Sequence, residues 1–263
     1  MIPQRIVIYP GFMSAEEPQY FKKTLGALLV YRDRAYRPQR GDFIIGWGNS
    51  HEPNWATEVG KYKCPVLNHW SAISKAVDKR RALYYLQANA VSIPEFDCRN
   101  AQAYTWLKQG YPVFCRTDLR GMKGSGIVVA IKEHELVPAP LYTKFIPDCR
   151  EFRIHIFHDQ AIAMQEKLRK IGVYNDPYVR SEENGWVFAK KNIRVPHKVI
   201  QEAIAAVAAL GLDFGGVDVL YSPEKDRAYI LEINTAPGIG VDVPGYGREA
   251  YVEAFQKATN ELR

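Results

Sequence analysis

The stretch YILEINTAPGIG, from Tyr229 to Gly240, is the most informative part of this 263-residue sequence. Its first half has the apolar character of a buried strand, yet it contains Glu232 and Asn234. These two residues stand two positions apart, so their side chains leave the strand on the same side. A carboxylate and a carboxamide together on one side of an apolar strand indicate a binding site rather than core packing.

The preceding segment, GGVDVLYSPEKDRAYILEIN, predicts a β-hairpin that contains this strand. If residues 223–227 form its loop, Tyr221 pairs with Tyr229, and Asp218 falls opposite Glu232 at about 5 Å. Like charges directly opposite each other are destabilising unless a cation neutralises them. Hard oxygen ligands in this arrangement suit magnesium. The alternative is an exposed polar face, which the apolar flanking residues argue against.

The combined pattern GVDVL…YILEINTAPGI resembles the C-terminal signature of the ATP-grasp superfamily, and the chain from residue 70 onward is similar to that family in its order of elements. The likeness is to D-alanine–D-alanine ligases and ribosomal-protein glutamate ligases, both carboxylate–amine ligases. It implies that Asp218, Glu232 and Asn234 hold magnesium, with two ions expected, beside ATP.

The resemblance implies an α+β ATP-grasp fold over residues 68–263, in which two α/β subdomains clamp ATP about a hinge near residues 142–146. Strands alternate with a helix over roughly the first 67 residues, which predicts a short N-terminal α/β subdomain at 1–67.

Three helices are predicted from local signals. One runs from about Ala15 to Tyr31, and a second is capped by Ser71 and ended by Pro94. The third follows Pro196 and stops before Gly211.

Two basic residues and a glycine-rich loop are expected at the ATP phosphates. AVDKRRALYYLQANAVSIP is similar to the family's Asp-Lys helix, which implies that Lys79 contacts phosphate. PVFCR lies where the family has a strand ending in a phosphate-binding lysine, and Arg116 stands there instead, a forked cation in place of a point charge. The loop RGMKGSGI follows, in which Gly124, Ser125 and Gly126 could approach a phosphate closely. An ordinary hairpin turn is an equally common role for such a loop.

The segment LYTKFIPDCREFRIHIF resembles the family's hinge. The resemblance implies that backbone groups of Tyr142, Thr143, Lys144 and Phe145 recognise the adenine edge. It also implies that Glu151 holds the ribose hydroxyls.

The dipeptide ligases have an arginine two residues before the metal-binding aspartate, and this chain has Gly216 there. We therefore expect Arg153, in EFRIHIF, to stabilise the oxyanion. A structural ion pair of Arg153 with Glu151 or Asp159 is the alternative.

The segment EKLRK…YVRSEENG resembles the basic loop of glutamate ligases. This implies that Lys167, Arg169 and Arg180 contact phosphate or substrate, and Arg180 joins Arg153 as a catalytic candidate. A loop that only faces water is an equal alternative.

Composition bounds the remaining choices. The net charge of +6 favours anionic partners, and the segment YRDRAYRPQR could bind phosphate or nucleic acid, or simply be a solvated connection.

No apolar run approaches the ~18 residues that span a bilayer. Four widely spaced cysteines without a CxxC pair indicate reduced thiols and a cytoplasmic protein. The six histidines show no metal-ligand spacing, which favours structural histidines with satisfied hydrogen bonds.

The function that the resemblance implies is ATP-dependent amide formation between a carboxylate and an amine through an acylphosphate, releasing ADP and phosphate. The substrates would be small molecules or peptides, and a nucleic-acid-linked acceptor is a further option. A small-molecule kinase and a non-catalytic ATP-binding module are the alternatives.

Overall fold

The computed structural model describes residues 5–11, 16–32, 34–121, 124–239 and 247–261. Its strands are β1 (Arg5–Pro10), β2 (Leu28–Leu29), β3 (Asp42–Trp47), β4 (Val66–Leu67), β5 (Phe96–Asp97), β6 (Val113–Arg116), β7 (Ile127–Ala130), β8 (Leu141–Lys144), β9 (Arg150–Phe157), β10 (Gln160–Arg169), β11 (Trp186–Ala189), β12 (Phe214–Ser222) and β13 (Arg227–Asn234). Its helices are α1 (Glu16–Leu25), α2 (Ala56–Tyr62), α3 (Trp70–Ala76), α4 (Lys79–Ala88), α5 (Asn100–Lys108), α6 (His197–Leu210) and α7 (Arg248–Glu261).

The first sheet is parallel, with the strand order β2-β1-β3-β4. Helix α1 is shorter than predicted: it ends at Leu25, and its expected start at Ala15 lies outside the described residues. Gly26 follows the helix with a φ of 65°, a left-handed conformation that stops it. The chain then enters β2, a strand that the sequence did not predict.

The single helix expected after Ser71 is two helices. Asp78 has an extended backbone, and its Oδ1 accepts a hydrogen bond from the Arg81 backbone N–H at 3.0 Å, so it ends α3 and caps α4. The cap of α3 is His69, whose Nδ1 accepts from the Ser71 N–H at 3.3 Å, and not Ser71 itself.

A small antiparallel sheet, in the order β5-β8-β6-β7, packs against α5. The glycine-rich loop joins β6 to β7 at one end of this sheet. The backbone N–H of Lys79 donates to Leu119 O at 3.0 Å, which ties the start of α4 to the same loop.

The central sheet is antiparallel, in the order β11-β10-β9-β12-β13. The prediction of a basic loop is wrong for its first part, because most of EKLRK lies in strand β10. Only the part between Arg169 and strand β11 is irregular. Helix α6, predicted from its apolar periodicity and the Gly211 stop, covers one face of this sheet and forms the largest apolar cluster with it.

The first and central sheets share one aromatic core. Phe21 of α1 lies 5.4 Å from Phe255 of α7, and Trp47 of β3 stacks on Phe214 of β12 at 5.5 Å. The boundary at residue 67 stays a prediction, since packing continues across it. Among the described residues, no helix is long and apolar enough to cross a bilayer.

Candidate active site

The β12–β13 hairpin brings Asp218 directly opposite Glu232, as predicted. The predicted loop is wrong, however, because Tyr221 pairs with Ala228 and the turn has one residue fewer. Asp226 closes this tighter turn with a φ of 45°. A β-bulge between the Asp218 and Val219 pairs shifts the register by one residue and restores the alignment of the two carboxylates.

Asp218 is buried and held by Arg153 of the neighbouring strand β9. Two guanidinium nitrogens of Arg153, Nε and Nη2, donate to the carboxylate at 2.7 and 2.8 Å. Burial alone would raise the pKa of Asp218, but the Arg153 charge and its hydrogen bonds outweigh burial and lower it. The alternative partners expected for Arg153, Glu151 and Asp159, are therefore wrong: its ion pair is with Asp218.

The donor set at the hairpin fits magnesium. Asn234 donates to Glu232 Oε1 at 3.3 Å through its amide nitrogen, which leaves the Asn234 amide oxygen as an acceptor. The Asp218 oxygens that accept from Arg153 each keep a second lone pair. The described residues contain no group of three or more His, Cys, Asp or Glu that could hold a metal. Two carboxylates and one amide are instead typical of a magnesium ion that is also bound by substrate phosphates.

Lys79 and Arg116 place positive charge beside this hairpin. The Lys79 Nζ lies 3.8 Å from Glu232 Oε2 and also donates to Gly121 O. Burial lowers the pKa of Lys79, although Glu232 opposes the shift. Burial also lowers the pKa of Arg116, and no described carboxylate forms an ion pair with it. A desolvated guanidinium without a paired anion favours an anionic ligand at this position.

The glycine-rich loop extends toward the segment before β11. Gly124 and Gly126 have φ values of 83° and 72°, which side chains rarely adopt. A Cβ on Gly124 would lie 2.8 Å from a methyl carbon of Val179. Ser125 lies between these glycines, at the tip of the turn that joins β6 to β7. The loop therefore closes the space between the small sheet and the central sheet.

The predicted hinge connects β8 to β9. The backbone N–H groups of Lys144 and Phe145 donate to Glu95 O and Pro112 O, both at 2.9 Å, so their carbonyls are the groups left for a ligand. The Lys144 side chain pairs with Glu95 at 2.9 Å. Thr143 is buried, and its Oγ1 has no hydrogen-bond partner. The Phe145 ring packs edge-on against Tyr178, with centroids 5.2 Å apart.

Glu151 lies on the cleft side of β9, where it is 6% exposed and paired with two cations. Lys167 of β10 donates to one oxygen, and Arg180 lies 3.7 Å from the other. Burial raises the pKa of Glu151, and both cations oppose that shift. Arg180 also donates to Cys149 O at 3.0 Å and lies over the Trp186 ring. The alternative of a loop that only faces water is therefore wrong for Arg180.

A cavity of about 440 Å³ opens between the hinge and the edge of the central sheet. Its walls include Phe145, Lys167, Arg169, Arg180 and Trp186. The hinge, the ribose-binding candidate and the basic segment are thus neighbours in space. Their predicted roles toward ATP stay predictions.

His155 was not expected at the site. It is fully buried on the same face of β9 as Arg153, with Nδ1 at 3.2 Å from the Tyr251 hydroxyl and no hydrogen-bond partner for Nε2. Burial lowers the pKa of His155 to about 3, so the imidazole is neutral. The expectation of a structural histidine with satisfied hydrogen bonds is therefore wrong for this residue. Only its alternation with apolar neighbours in EFRIHIF could have indicated its position.

Gly216 lies opposite His155 for a steric reason. A Cβ at Gly216 would lie 2.8 Å from Pro237 Cβ and 3.6 Å from His155 Cε1. No arginine fits there, which explains the departure from the dipeptide ligases.

Comparison with known proteins agrees with this geometry, although no family model matches the sequence. The chain is 24% identical over 217 residues to a probable alpha-L-glutamate ligase of Pasteurella multocida strain Pm70, covering 71% of this chain and 65% of that protein. It is 25% identical over 242 residues to a probable alpha-L-glutamate ligase of Mannheimia succiniciproducens, covering 79% of this chain and 78% of that protein. The chain thus spans less than two thirds of the Pasteurella relative.

Among solved structures, the D-alanine–D-alanine ligase from Bacillus anthracis superposes with a TM-score of 0.70 at 14% identity, covering 98% of both chains. The ATP-grasp ligase PsnB, solved with a phosphomimetic precursor variant, Mg and ADP, superposes with a TM-score of 0.69 at 10% identity, covering 97% of this chain and 99% of PsnB. The chain has the ATP-grasp fold.

Proposed function

We propose that this protein is an ATP-dependent carboxylate–amine ligase that forms an amide through an acylphosphate and releases ADP and phosphate. The observation that carries the proposal is the convergence of the Asp218–Glu232 pair with Lys79 and Arg116, four charged groups drawn from separate elements. The relatives named as glutamate ligases and the fold of the dipeptide ligases support the same reaction class.

Asp218, Glu232 and Asn234 are the residues that would hold magnesium. When bound, magnesium supplies charge neutralisation at the phosphate oxygens. Lys79 and Arg116 offset the negative charge on the other side of the phosphate chain. This placement of fixed charge matters because positioning and electrostatics supply most of the catalysis in phosphoryl transfer.

In the proposed reaction, a carboxylate oxygen of the substrate forms a bond to the γ-phosphorus as the bond from that phosphorus to the ADP oxygen breaks. An amine then adds to the carbonyl carbon of the acylphosphate and loses a proton, and phosphate leaves. Arg153 can assist both steps: its Nε and Nη2 are engaged by Asp218, and no described residue accepts a hydrogen bond from its Nη1. That free nitrogen can donate to the carboxylate or the oxyanion. Arg180 is the second cation proposed to orient the substrate.

The nucleotide would lie against the hinge, with Thr143, Lys144 and Phe145 at the adenine and Glu151 at the ribose. Lys167 and Arg180 already contact the Glu151 carboxylate. To bind the ribose, Glu151 must therefore accept hydrogen bonds from the ribose hydroxyls while it keeps at least one of these cations. The glycine-rich loop, with Gly124, Ser125 and Gly126, would cover the phosphates.

The carboxylate and amine are proposed to be small molecules or peptides. Two structural relatives, PsnB and the macrocyclase MdnC, are described with precursor peptides bound, which supports the peptide option. A nucleic-acid-linked acceptor and a cytoplasmic location are also proposed. The location is supported by the four cysteines, all of which are unpaired.

The decisive experiment combines the protein with ATP, magnesium, hydroxylamine and a pool of carboxylates. A carboxylate that is activated should appear as its hydroxamate by mass spectrometry, with ADP and phosphate formed in equal amounts. Glu232→Gln should abolish the product, whereas Glu224→Gln, which removes an exposed charge from the same hairpin, should not. Formation of AMP and pyrophosphate, or of a phosphorylated alcohol without hydroxamate, would contradict the proposal.

A further inference from the structure

A loop rich in arginine is not explained by the ligase reaction. This arginine loop comprises residues 31–40 between β2 and β3, with Asp33 outside the described residues. Arg32, Arg34, Arg37 and Arg40 are all exposed. In the described part of the chain, none of these four guanidinium groups forms an ion pair or a side-chain hydrogen bond.

Several arginines elsewhere in the described chain are paired with carboxylates, unlike the four in this loop. Even the exposed Arg99 is paired, with its Nη2 2.8 Å from Asp97 Oδ2. The same is true of Arg5, Arg150, Arg153, Arg180 and Arg248. The arginine loop therefore concentrates four positive charges that no described carboxylate pairs with.

The backbone of the loop is nevertheless well anchored. The Tyr36 hydroxyl donates to Asp42 Oδ2 at 2.5 Å, and the Gln39 N–H donates to the same oxygen at 2.8 Å. Arg5 completes this network with a bidentate pair to Asp42. Pro38 is buried beside it. A fixed backbone presents the arginines with less ordering cost on binding than a mobile one.

The second half of the loop lies at the opposite edge of the first sheet from the cleft, since Arg5 Nη2 donates to Arg37 O and the Gln39 N–H donates to Asp42. Arg5 and Asp42 begin the paired parallel strands β1 and β3, whereas the far ends of these strands lead to Gly48. A Cβ on Gly48 would lie 2.7 Å from Ala236 Cβ, in the segment after the metal-site strand. Six-residue strands separate the two edges by about 17 Å. Arg37 and Arg40 can therefore bind a partner without entering the active site.

We propose that the arginine loop binds the phosphate backbone of a nucleic acid without regard to sequence. Guanidinium groups bind phosphate through paired hydrogen bonds and keep their charge at any physiological pH. An acidic protein fits less well, because protein interfaces have apolar and aromatic centres. The exposed side chains here are the arginines, Ala35 and Gln39, while Tyr36 is engaged by Asp42.

The test is the salt dependence of binding to labelled oligonucleotides of mixed sequence, measured by fluorescence anisotropy. Four phosphate contacts predict a slope of log K against log salt of roughly −3.6 for duplex and −2.8 for single strands. Between 50 and 200 mM salt the affinity should therefore fall about 150-fold for duplex and about 50-fold for single strands.

Two variants remove the same number of charges from different places. Arg32→Gln, Arg34→Gln, Arg37→Gln and Arg40→Gln together should reduce the magnitude of the duplex slope by about 3 to 4 and weaken binding at 50 mM salt at least tenfold. The control combines Lys22→Gln, Lys23→Gln, Lys108→Gln and Lys257→Gln, all exposed elsewhere. It should keep the wild-type slope.

Three results would overturn the proposal. They are no salt-sensitive oligonucleotide binding by the wild-type protein, an equal loss in both variants, or loop-dependent binding of labelled polyglutamate in place of oligonucleotide. Hydroxamate formation should be unchanged in both variants, since neither set includes a residue proposed to bind ATP or substrate. The binding assay needs no turnover, so its failure is distinguishable from failure of the proposed reaction.

Discussion

The two faces of the central sheet both contain buried residues but differ in chemistry. Along β9, Phe152, Ile154 and Ile156 face helix α6 in the largest apolar cluster, each with no exposed surface. Glu151 and His155, which alternate with them, face the cleft and are also buried. Burial therefore does not identify the functional face; its charges do.

The difference follows from what each face requires. Apolar contacts on the α6 face are non-directional and need only complementary shape. On the cleft face, each desolvated charge needs a partner, because a buried unpaired charge is costly. Asp218 and Glu151 have cations bound, whereas Arg116 of β6, in the small sheet, has no described carboxylate in an ion pair with it. An anionic substrate is therefore expected between Arg116 and the cleft face of the central sheet.

Breaking the buried ion pair should have the largest effect on stability. Arg153→Ala leaves the Asp218 carboxylate buried without its guanidinium, and we expect unfolding in urea to become easier by about 3–5 kcal/mol. The matched control is Lys198→Ala, which breaks a pair in which both side chains are more than half exposed. That change should cost less than about 1 kcal/mol. Similar losses for the two variants would show that the cleft face is not effectively desolvated.

The apolar face should respond to volume instead of charge. Ile154→Ala leaves a cavity beneath α6 and should destabilise the protein by about 2–5 kcal/mol in the same urea assay. Ile131→Ala, at a side chain that is 50% exposed, should change stability by no more than about 0.5 kcal/mol. Equal effects of the two substitutions would mean that the α6 contacts do not support the sheet.

Binding of ATP should raise the unfolding free energy, and the cleft cations should be needed for that gain. ATP at about 100 times its Kd raises the unfolding free energy by about 2.7 kcal/mol, and Lys79→Ala or Arg116→Ala should remove most of that gain. Arg116→Lys should retain part of it, because a cation remains. Thermal unfolding with and without magnesium-ATP provides the measurement, with Lys108→Ala, on α5, as an exposed basic control. Undiminished stabilisation in both alanine variants would place the phosphates elsewhere.

The neutral imidazole of His155 should make the unfolding free energy depend on pH, by about 2 kcal/mol between pH 5 and pH 7. His155 has an ordinary pKa of 6.5 in the unfolded chain and a pKa of about 3 when folded, because of burial and the nearby Arg153 and Lys190 charges, with Asp218 opposing. Between these values the unfolded chain binds a proton that the folded chain does not, so stability falls as pH falls. We expect the unfolding free energy to be about 2 kcal/mol lower at pH 5 than at pH 7.

The His155 contribution can be isolated by substitution. His155→Gln should flatten the dependence between pH 5 and 7, while His158→Gln, at an exposed histidine, should leave it unchanged. A slope that persists in His155→Gln would assign the effect to another group.

Local patterns were sufficient for the elements that contain the site. The apolar periodicity before Gly211 predicted α6, and the GVDVL…YILEIN pattern predicted the hairpin and the facing of Asp218 and Glu232. Both depend on side-chain direction along one element, which has a fixed period. Local patterns also misjudged boundaries, since α1 ends at Leu25 and one expected helix is split at Asp78.

The sequence alone thus determined the α6 helix and the metal-site hairpin, because periodicity and turn chemistry act between near neighbours in the chain. Only the tertiary structure decided that Arg153 pairs with Asp218, 65 residues away, and that His155 meets Tyr251, 96 residues away. Strand order and register bring these side chains together. An ion pair forms with whichever opposite charge packing places within reach, and no local pattern along the chain specifies that choice.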